Sequence, residues 1–353
     1  MDIDNSQALQ QQVVAALEQG TSLQIMGGNS KAFYGRNIAA EPLPVHRHSG
    51  ILSYEPTELV LTARAGTPLL EIEKTLDDHG QMLGFEPPAF GDKATLGGTI
   101  ATNFSGPRRA YTGAARDFVL GCKLLNGKGE ILSFGGEVMK NVAGYDVSRL
   151  MAGALGTLGV LLEISVKVIP KPDVEQTRVI ECQAHDALAK MHHWAGLPLP
   201  VSATCFSNSQ LMVRLSGAEK AVNAAAATIG GDELPDGAEF WRNIKEQQAA
   251  FFQSQKPLWR LSIASDADPS ILEGDWFYEW GGALRWLTTN VPHDAVRNTV
   301  AALDGHACLF RHHAAQDDVF QVLSPGLLRI HKNLKNAFDP HGILNPGKLY
   351  LGL

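Results

Sequence analysis

The stretch TLGGTIATNFSG, residues 95–106, decides how this chain folds. It is small, polar and nearly free of bulk. From residue 84 to 159 glycine takes about a fifth of the positions, against roughly 7% in average proteins. Glycine gives up packing and costs backbone entropy, so a chain tolerates it where the backbone turns sharply or lies against something large. Leu96, Ile100 and Phe104 recur every four residues, the spacing of one helical face. Gly97, Gly98, Thr99, Ala101, Thr102, Asn103 and Ser105 fall elsewhere. The spacing predicts a short helix with one apolar stripe and one bare, hydroxyl-bearing face. Free N–H groups at such a helix start would suit a phosphate-bearing ligand. A tight glycine turn beside a core would use the same residues.

Working outward, the bulk numbers bound what surrounds this stretch. The chain has 353 residues, 44% hydrophobic, with a formal net charge of -7. That suffices for two domains with a substantial core. The negative balance and the lack of a long basic run argue against nucleic acid. Cys122, Cys182, Cys205 and Cys308 are scattered without a CxxC spacing, which encodes neither a zinc ribbon nor an iron–sulfur site. The start, MDIDNSQALQQQ, is polar and acidic, unlike a signal peptide. No apolar run approaches the roughly 18 residues that span a bilayer.

Upstream, residues 6–19 read as a helix stopped by Gly20, with Leu9, Val13, Ala16 and Leu17 on one face. The run SLQIM reads as a strand that opens into Gly27-Gly28-Asn29-Ser30-Lys31. Several free N–H groups and one cation there could form an anion nest. The spacing fits neither a P-loop nor GxGxxG, so an ordinary glycine turn stays open. Residues 59–65 alternate as a strand, and Thr67-Pro68 look like the N-cap and first residue of a helix closed by Gly80.

Downstream, residues 118–125 and 130–134 flank Asn126-Gly127, a strong hairpin signal. The segment KNVAGYD (140–146) leads to an apolar helix over 147–154. Gly156-Thr157-Leu158-Gly159-Val160 opens another strand, which Pro170 and Pro172 end. We expect a domain boundary there. Residues 173–323 then read as a small α+β module with strands at 210–216, 259–264 and 283–287 and a helix at 218–229. Its Trp194, Trp241, Trp259, Trp276 and Trp280 read as core or interface. In the tail, Ser324 and Pro325 start a helix whose buried face is expected to be Leu327, Ile330, Leu334 and Phe338. A rigid loop, ILNPGK, follows.

Four segments in order, GGNSKAFYG, PPAFGDKATLGGTIATNFSG, KNVAGYDVSRLMAGALGTLGVLLEISVKVIP and FDPHGILNPGKLY, resemble the flavoproteins of the vanillyl-alcohol oxidase and p-cresol methylhydroxylase type. They cover about half the chain. The resemblance implies an α+β fold: a two-part FAD-binding domain over 1–172, a cap over 173–323, and a C-terminal segment, 324–353, returning to the FAD domain. It assigns Gly27, Gly28, Asn29, Ser30 and Lys31 to the first pyrophosphate loop. Thr95, Gly97, Gly98, Thr99, Thr102, Asn103 and Ser105 match the segment beside the pyrophosphate and flavin. Gly156, Gly159 and Val160 match backbone near the adenosine half. Asn345 and Lys348 match a C-terminal loop that returns towards the flavin ring.

Two departures shape the functional expectation. Relatives that hold FAD covalently often carry His in the first loop, and this loop has none, which implies noncovalent FAD. Members that oxidise 2-hydroxy acids alone carry an HxGDGNxH-like metal segment, and nothing here matches it. His306, Cys308, His312 and His313 fit no known metal site in spacing or partners, so no metal is expected. The resemblance therefore implies an FAD-binding subunit of a multi-subunit oxidase taking glycolate to glyoxylate. It would work with a homologous catalytic flavoprotein subunit and an iron–sulfur subunit, in the cytoplasm or held at the inner face of a bacterial inner membrane by those partners. A stand-alone FAD oxidoreductase, using Lys140, Tyr145, Arg242 or Arg285, stays open, as does a flavin-binding structural subunit without turnover. The sequence assigns no catalytic base.

Overall fold

Two apolar runs, Val119–Leu125 and Val160–Lys167, pair antiparallel at the centre of a five-stranded sheet. Their β-branched and leucine side chains suit a sheet covered on both faces. Val60–Arg64 and Ile51–Glu55 extend it on one side and Ile131–Gly135 on the other, all antiparallel. The expected hairpin forms: Asn126 Oδ1 accepts from the N–H groups of Lys128 and Glu130 at 2.9 and 3.0 Å, and Gly129 takes φ +78°. This is the structure of a computed structural model, which describes residues 2–136, 146–268, 271–311 and 318–353. Lys140, Tyr145, His312 and His313, and most of the KNVAGYD segment, lie outside the described residues.

The helix Ser6–Gln19 ends on Gly20 in the left-handed region, as its sequence predicts. It buries Leu9, Val13 and Ala16 against the same core as the helix Leu69–Asp77. Thr67 is not the N-cap of that second helix. Its hydroxyl accepts from Gly50 N–H at 2.9 Å and donates to Arg64 C=O at 2.7 Å, so the helix begins uncapped after Pro68. The short parallel pair Leu23–Met26 and Glu41–Pro44 carries the first glycine loop at its end.

The second sheet has eight strands, from Val174–Glu181 to His306–Arg311. Sequence alternation locates Gln210–Gly217, Leu258–Ser262 and Leu284–Thr288 but misses Val174–Glu181, Val201–Ser207, Asp275–Glu279 and His306–Arg311. Val201–Ser207 alternates Val, Ala and Cys with Ser and Thr, but these small residues give a weak strand signal, and the strand is buried almost throughout. Two of the contacts that join the glycine-rich segment to the second half are hydrogen bonds to its backbone. Trp280 Nε1 donates to Gly106 C=O at 3.0 Å, and Glu246 accepts from the N–H groups of Ala89 and Phe90.

Two helix expectations change. The helix after 146 stops at Leu150, because Gly153, Leu155 and Gly156 take positive φ. In the tail helix Pro325–Phe338, Ser324 caps as expected, but Leu327 and Ile330 are 49% and 53% exposed. The helix instead turns Lys335 inward, where its Nζ donates to Thr157 C=O, Leu344 C=O and Asp339 Oδ2 at 2.7–2.8 Å. That clip pins the C-terminal loop beside residue 157.

Candidate functional site

One cavity collects most of the glycine-rich positions. Gly27 to Lys31 form one side, and Thr95, Gly97, Gly98 and Thr102 another. Gly156 and Gly159 face them, and Asn345 and Lys348 close the end. Its empty space, counting the open solvent at its mouth, is about 1020 Å³.

The walls are bare for a steric reason. A Cβ on Gly28 would sit 1.3 Å from Lys93 C=O, and one on Gly97 would meet Ala65 at 2.8 Å. A Cβ on Gly98 meets only Thr95 Oγ1, at 3.2 Å, and otherwise faces open space. Gly98 therefore keeps the cavity empty, whereas Gly28 and Gly97 let backbones approach.

The donors are not where the helix pattern puts them. The helix Leu96–Thr102 spends its first N–H groups internally: Leu96 on Thr67 C=O, Gly97 on Ala65 C=O, Gly98 on Thr95 Oγ1 and Thr99 on Thr95 C=O. No free donor remains at its start. In the loop, by contrast, the N–H groups of Gly28, Asn29, Ser30 and Lys31 find no acceptor among the described residues. Asn29 sits at φ +61°, in the left-handed region that curls successive N–H groups into a nest.

Two cations flank this nest. Lys31 Nζ lies 3.4 Å from Ala89 C=O and over the Phe90 ring at 5.9 Å. Burial pulls its ammonium down to about 8, with Glu246 and Glu73 pulling back up. Lys348 Nζ makes no hydrogen bond or ion pair to any described residue, and burial lowers its pKa as well. An uncompensated buried cation is costly unless an anion arrives. Unspent backbone donors, two cations and a glycine-bare wall fit a dinucleotide pyrophosphate.

Four expected positions do not line this cavity. Thr99 is wholly buried and its hydroxyl is unpartnered among the described residues. Asn103 ends the helix in the left-handed region, and its Oδ1 accepts from Arg116 N–H. Ser105 Oγ accepts from Ala115 N–H and faces a second cavity. Val160 is fully buried at the start of a central strand, opposite Leu125. The apolar stripe also divides: Leu96 and Ile100 join the first core, while Phe104, past the turn at Asn103, joins the second. Asn345 lines the cavity but spends its amide on structure, donating to Leu155 C=O at 2.6 Å and accepting from Ile25 N–H at 2.7 Å. Tyr34, Met151 and Leu155 also line the cavity; they fall within two of the family-like segments, but their residue types did not single them out.

Among the other candidates, Arg285 is fully buried and donates to the carbonyls of Gly282, Asp268 and Ala267. Arg242 is exposed and pairs with Glu239. Cys308 packs against the Tyr34 hydroxyl at 4.0 Å, and burial pushes its thiol up to about 11. No metal-holding group of three or more His, Cys, Asp or Glu occurs among the described residues. No helix there is long and apolar enough to cross a membrane.

Comparison with known proteins agrees with this geometry. The FAD binding domain family matches residues 3–135, and the C-terminal domain of FAD-linked oxidases matches residues 315–349. The glycolate oxidase subunit GlcE of Escherichia coli (strain K12) is 46% identical over 100% of this chain and 99% of its own length. The chain belongs to the GlcE family. GlcE-type chains are thus FAD-linked oxidoreductases of the vanillyl-alcohol oxidase class. The glycolate oxidase subunit GlcD of Bacillus subtilis (strain 168) is 34% identical over 40% of this chain and 30% of its own. An alkyldihydroxyacetonephosphate synthase structure superposes with a TM-score of 0.68 over 96% of this chain and 75% of that one, at 16% identity, which shows the shared fold.

Proposed function

We propose that this GlcE-type chain is the FAD-binding subunit of a multi-subunit glycolate oxidase, taking glycolate to glyoxylate. FAD, held noncovalently, would supply the hydride acceptor for the carbon that bears the hydroxyl. The observation that carries this reading is the meeting, in one cavity, of the unspent N–H groups of Gly28 to Lys31 with the Lys348 ammonium and the bare Gly97-Gly98 face.

The residues have separable tasks. The loop 27–31 receives the pyrophosphate and fixes its register through backbone donors, which tolerate no side chain at Gly28. Lys31 and Lys348 balance its charge. Asn345 and Lys335 hold the C-terminal loop in place, so that Lys348 faces the cavity. The full-length likeness to a glycolate oxidase subunit supports a homologous catalytic flavoprotein subunit as partner. An iron–sulfur subunit would carry the electrons on, since the scattered cysteines of this chain form no cluster-binding set.

The test is spectral and then kinetic. The purified chain should be yellow, and acid should release its FAD intact, as a noncovalent cofactor requires. Mixed with its partners, its FAD should be reduced by glycolate. A colourless chain that refuses added FAD, alone and with partners, would end the proposal. Turnover of glycolate with a dye by the isolated chain would replace it with a stand-alone oxidoreductase. FAD that stays oxidised in a working complex would leave the chain a structural subunit.

A further inference from the structure

A second cavity lies beyond an aromatic layer. Tyr34, which lines the first cavity, meets Phe104 edge-on at 4.6 Å between ring centroids and Phe310 at 5.5 Å. Phe104 and Phe310 then form a wall of the second cavity, about 390 Å³ of empty space between the glycine-rich segment and the eight-stranded sheet. Arg260, Glu279, Gln247 and Ser105 also line it.

Its polar groups are left uncommitted in a specific pattern. Glu279 is only 5% exposed; its Oε2 accepts from Trp286 Nε1 at 2.7 Å, and its Oε1 receives no hydrogen bond from any described residue. Gln247 is 6% exposed and its Oε1 is buried without a donor among the described residues. Arg260 stacks on the Trp280 ring at 5.2 Å and makes no hydrogen bond or ion pair to a described residue. A guanidinium, a carboxylate with one oxygen unspent and a buried amide oxygen without a donor line one small void. Buried acceptors without donors are costly.

The complement of that pattern is a small molecule with a carboxylate at one end and a hydroxyl donor beside it. A bare inorganic anion would satisfy Arg260 but bring no donor for the open oxygens of Glu279 and Gln247. A neutral polyol would leave the guanidinium without a counter-charge.

We infer that this chain itself binds a small 2-hydroxy acid here, with the carboxylate on Arg260 and the hydroxyl donating to Gln247. The choice of a 2-hydroxy acid among small carboxylates rests on the function proposed above; the charge pattern of the cavity does not. The missing HxGDGNxH segment implied that the substrate site lies in a partner. The second cavity gives the chain a carboxylate site without a metal ligand set.

Calorimetry on the full-length FAD-loaded chain, anaerobic and without an electron acceptor, tests this with glycolate and acetate as probes. Glycolate should bind saturably, and acetate, lacking the hydroxyl, at least about tenfold more weakly, the usual scale for one lost polar contact. Arg260→Met should weaken both, and Arg260→Lys should recover part of the loss. Gln247→Leu should weaken glycolate and spare acetate. If Arg260→Met fails to fold, by far-UV circular dichroism, Gln247→Leu and Arg260→Lys decide. Absence of glycolate binding, or binding unchanged in these variants, overturns the inference. The 450 nm absorbance of each preparation reports the flavin separately. Glycolate binding by a colourless chain would keep this site and remove the flavin proposal. A yellow chain indifferent to glycolate would do the reverse.

Discussion

Glu86 and Arg214, 128 residues apart in sequence, close a buried ion pair at 2.9 Å that joins the glycine-rich segment to the eight-stranded sheet. Arg108 donates to the same carboxylate through both its backbone N–H and its Nε, and its other nitrogen reaches Glu175. Glu86 itself sits at φ +44°. Burial raises its pKa, but the two guanidinium groups more than offset that and hold it below the ordinary carboxylate range. The junction between the two sheets is therefore charged at its centre. Glu86→Gln should destabilise by about 1–3 kcal/mol, because it removes the carboxylate that both arginines share and leaves them Glu175 alone. Urea unfolding measures this. The pH sign follows from the depressed pKa: the contribution is present above the unfolded value, about 4.3, and is lost as pH falls through the lower folded value. The variant's stability should therefore fall less steeply than the natural chain's over that acid range.

Gly98→Val should empty the flavin site without unfolding the chain. The new side chain meets only Thr95 Oγ1 before it enters the cavity. Absorbance near 450 nm, roughly where oxidised flavin absorbs, should vanish while far-UV circular dichroism is kept. Full yellow colour in this variant would displace the ligand from the Gly98 wall. Gly28→Ala is the contrasting case: its Cβ strikes the Lys93 backbone, so fold and flavin should be lost together.

Lys348→Met should weaken FAD binding about 10–100-fold, the scale of one charge-assisted contact to phosphate. It should leave the stability of the FAD-free chain unchanged or slightly higher, since a buried ammonium without a protein partner is removed. Titration of FAD into the apo chain, beside thermal unfolding, reads both. Equal affinity in the two proteins would take Lys348 away from the phosphates.

Lys31 gives the site a pH signature. Its pKa of about 8, lowered by burial, means that an arriving phosphate must find or create the charged form. FAD affinity should fall as pH rises through about 8, and at about pH 8.5 binding should take up a proton. Calorimetry in two buffers of different ionisation enthalpy detects that proton. Without ligand the sign reverses: the unfolded lysine holds its proton longer, so stability rises with pH between about 8 and 10.4. Lys31→Met should abolish both effects.

Thr99→Val should be neutral, or stabilising by up to about 1–3 kcal/mol, because it removes a buried hydroxyl with no partner among the described residues. Flavin absorbance should not change. Loss of flavin in this variant would return Thr99 to the site from which its burial removes it.

The glycine-rich stretch was legible because glycine is chosen for where the backbone must go, and that need is written in residue type. The Asn126-Gly127 hairpin, the Gly20 stop and the Ser324-Pro325 start are local in the same sense, since each closes hydrogen bonds within a few residues. The split of Leu96 and Ile100 from Phe104 was not legible. It depends on which core waits on each side of the turn at Asn103. The inward Lys335 was hidden likewise, since its partners Thr157 and Leu344 arrive from elsewhere in the chain.

By itself, then, the sequence determined the local turns, the helix starts and the flavoprotein family, all of which depend on near neighbours or on short runs of residue types. Only the tertiary structure decided which donors were spent. The start of the helix at Leu96 looked free until Thr67 and Ala65 came to cap it, while the loop at Gly28 kept its N–H groups open. Hydrogen-bond satisfaction is a property of the whole packed chain, and it moved the anion site from the helix to the loop.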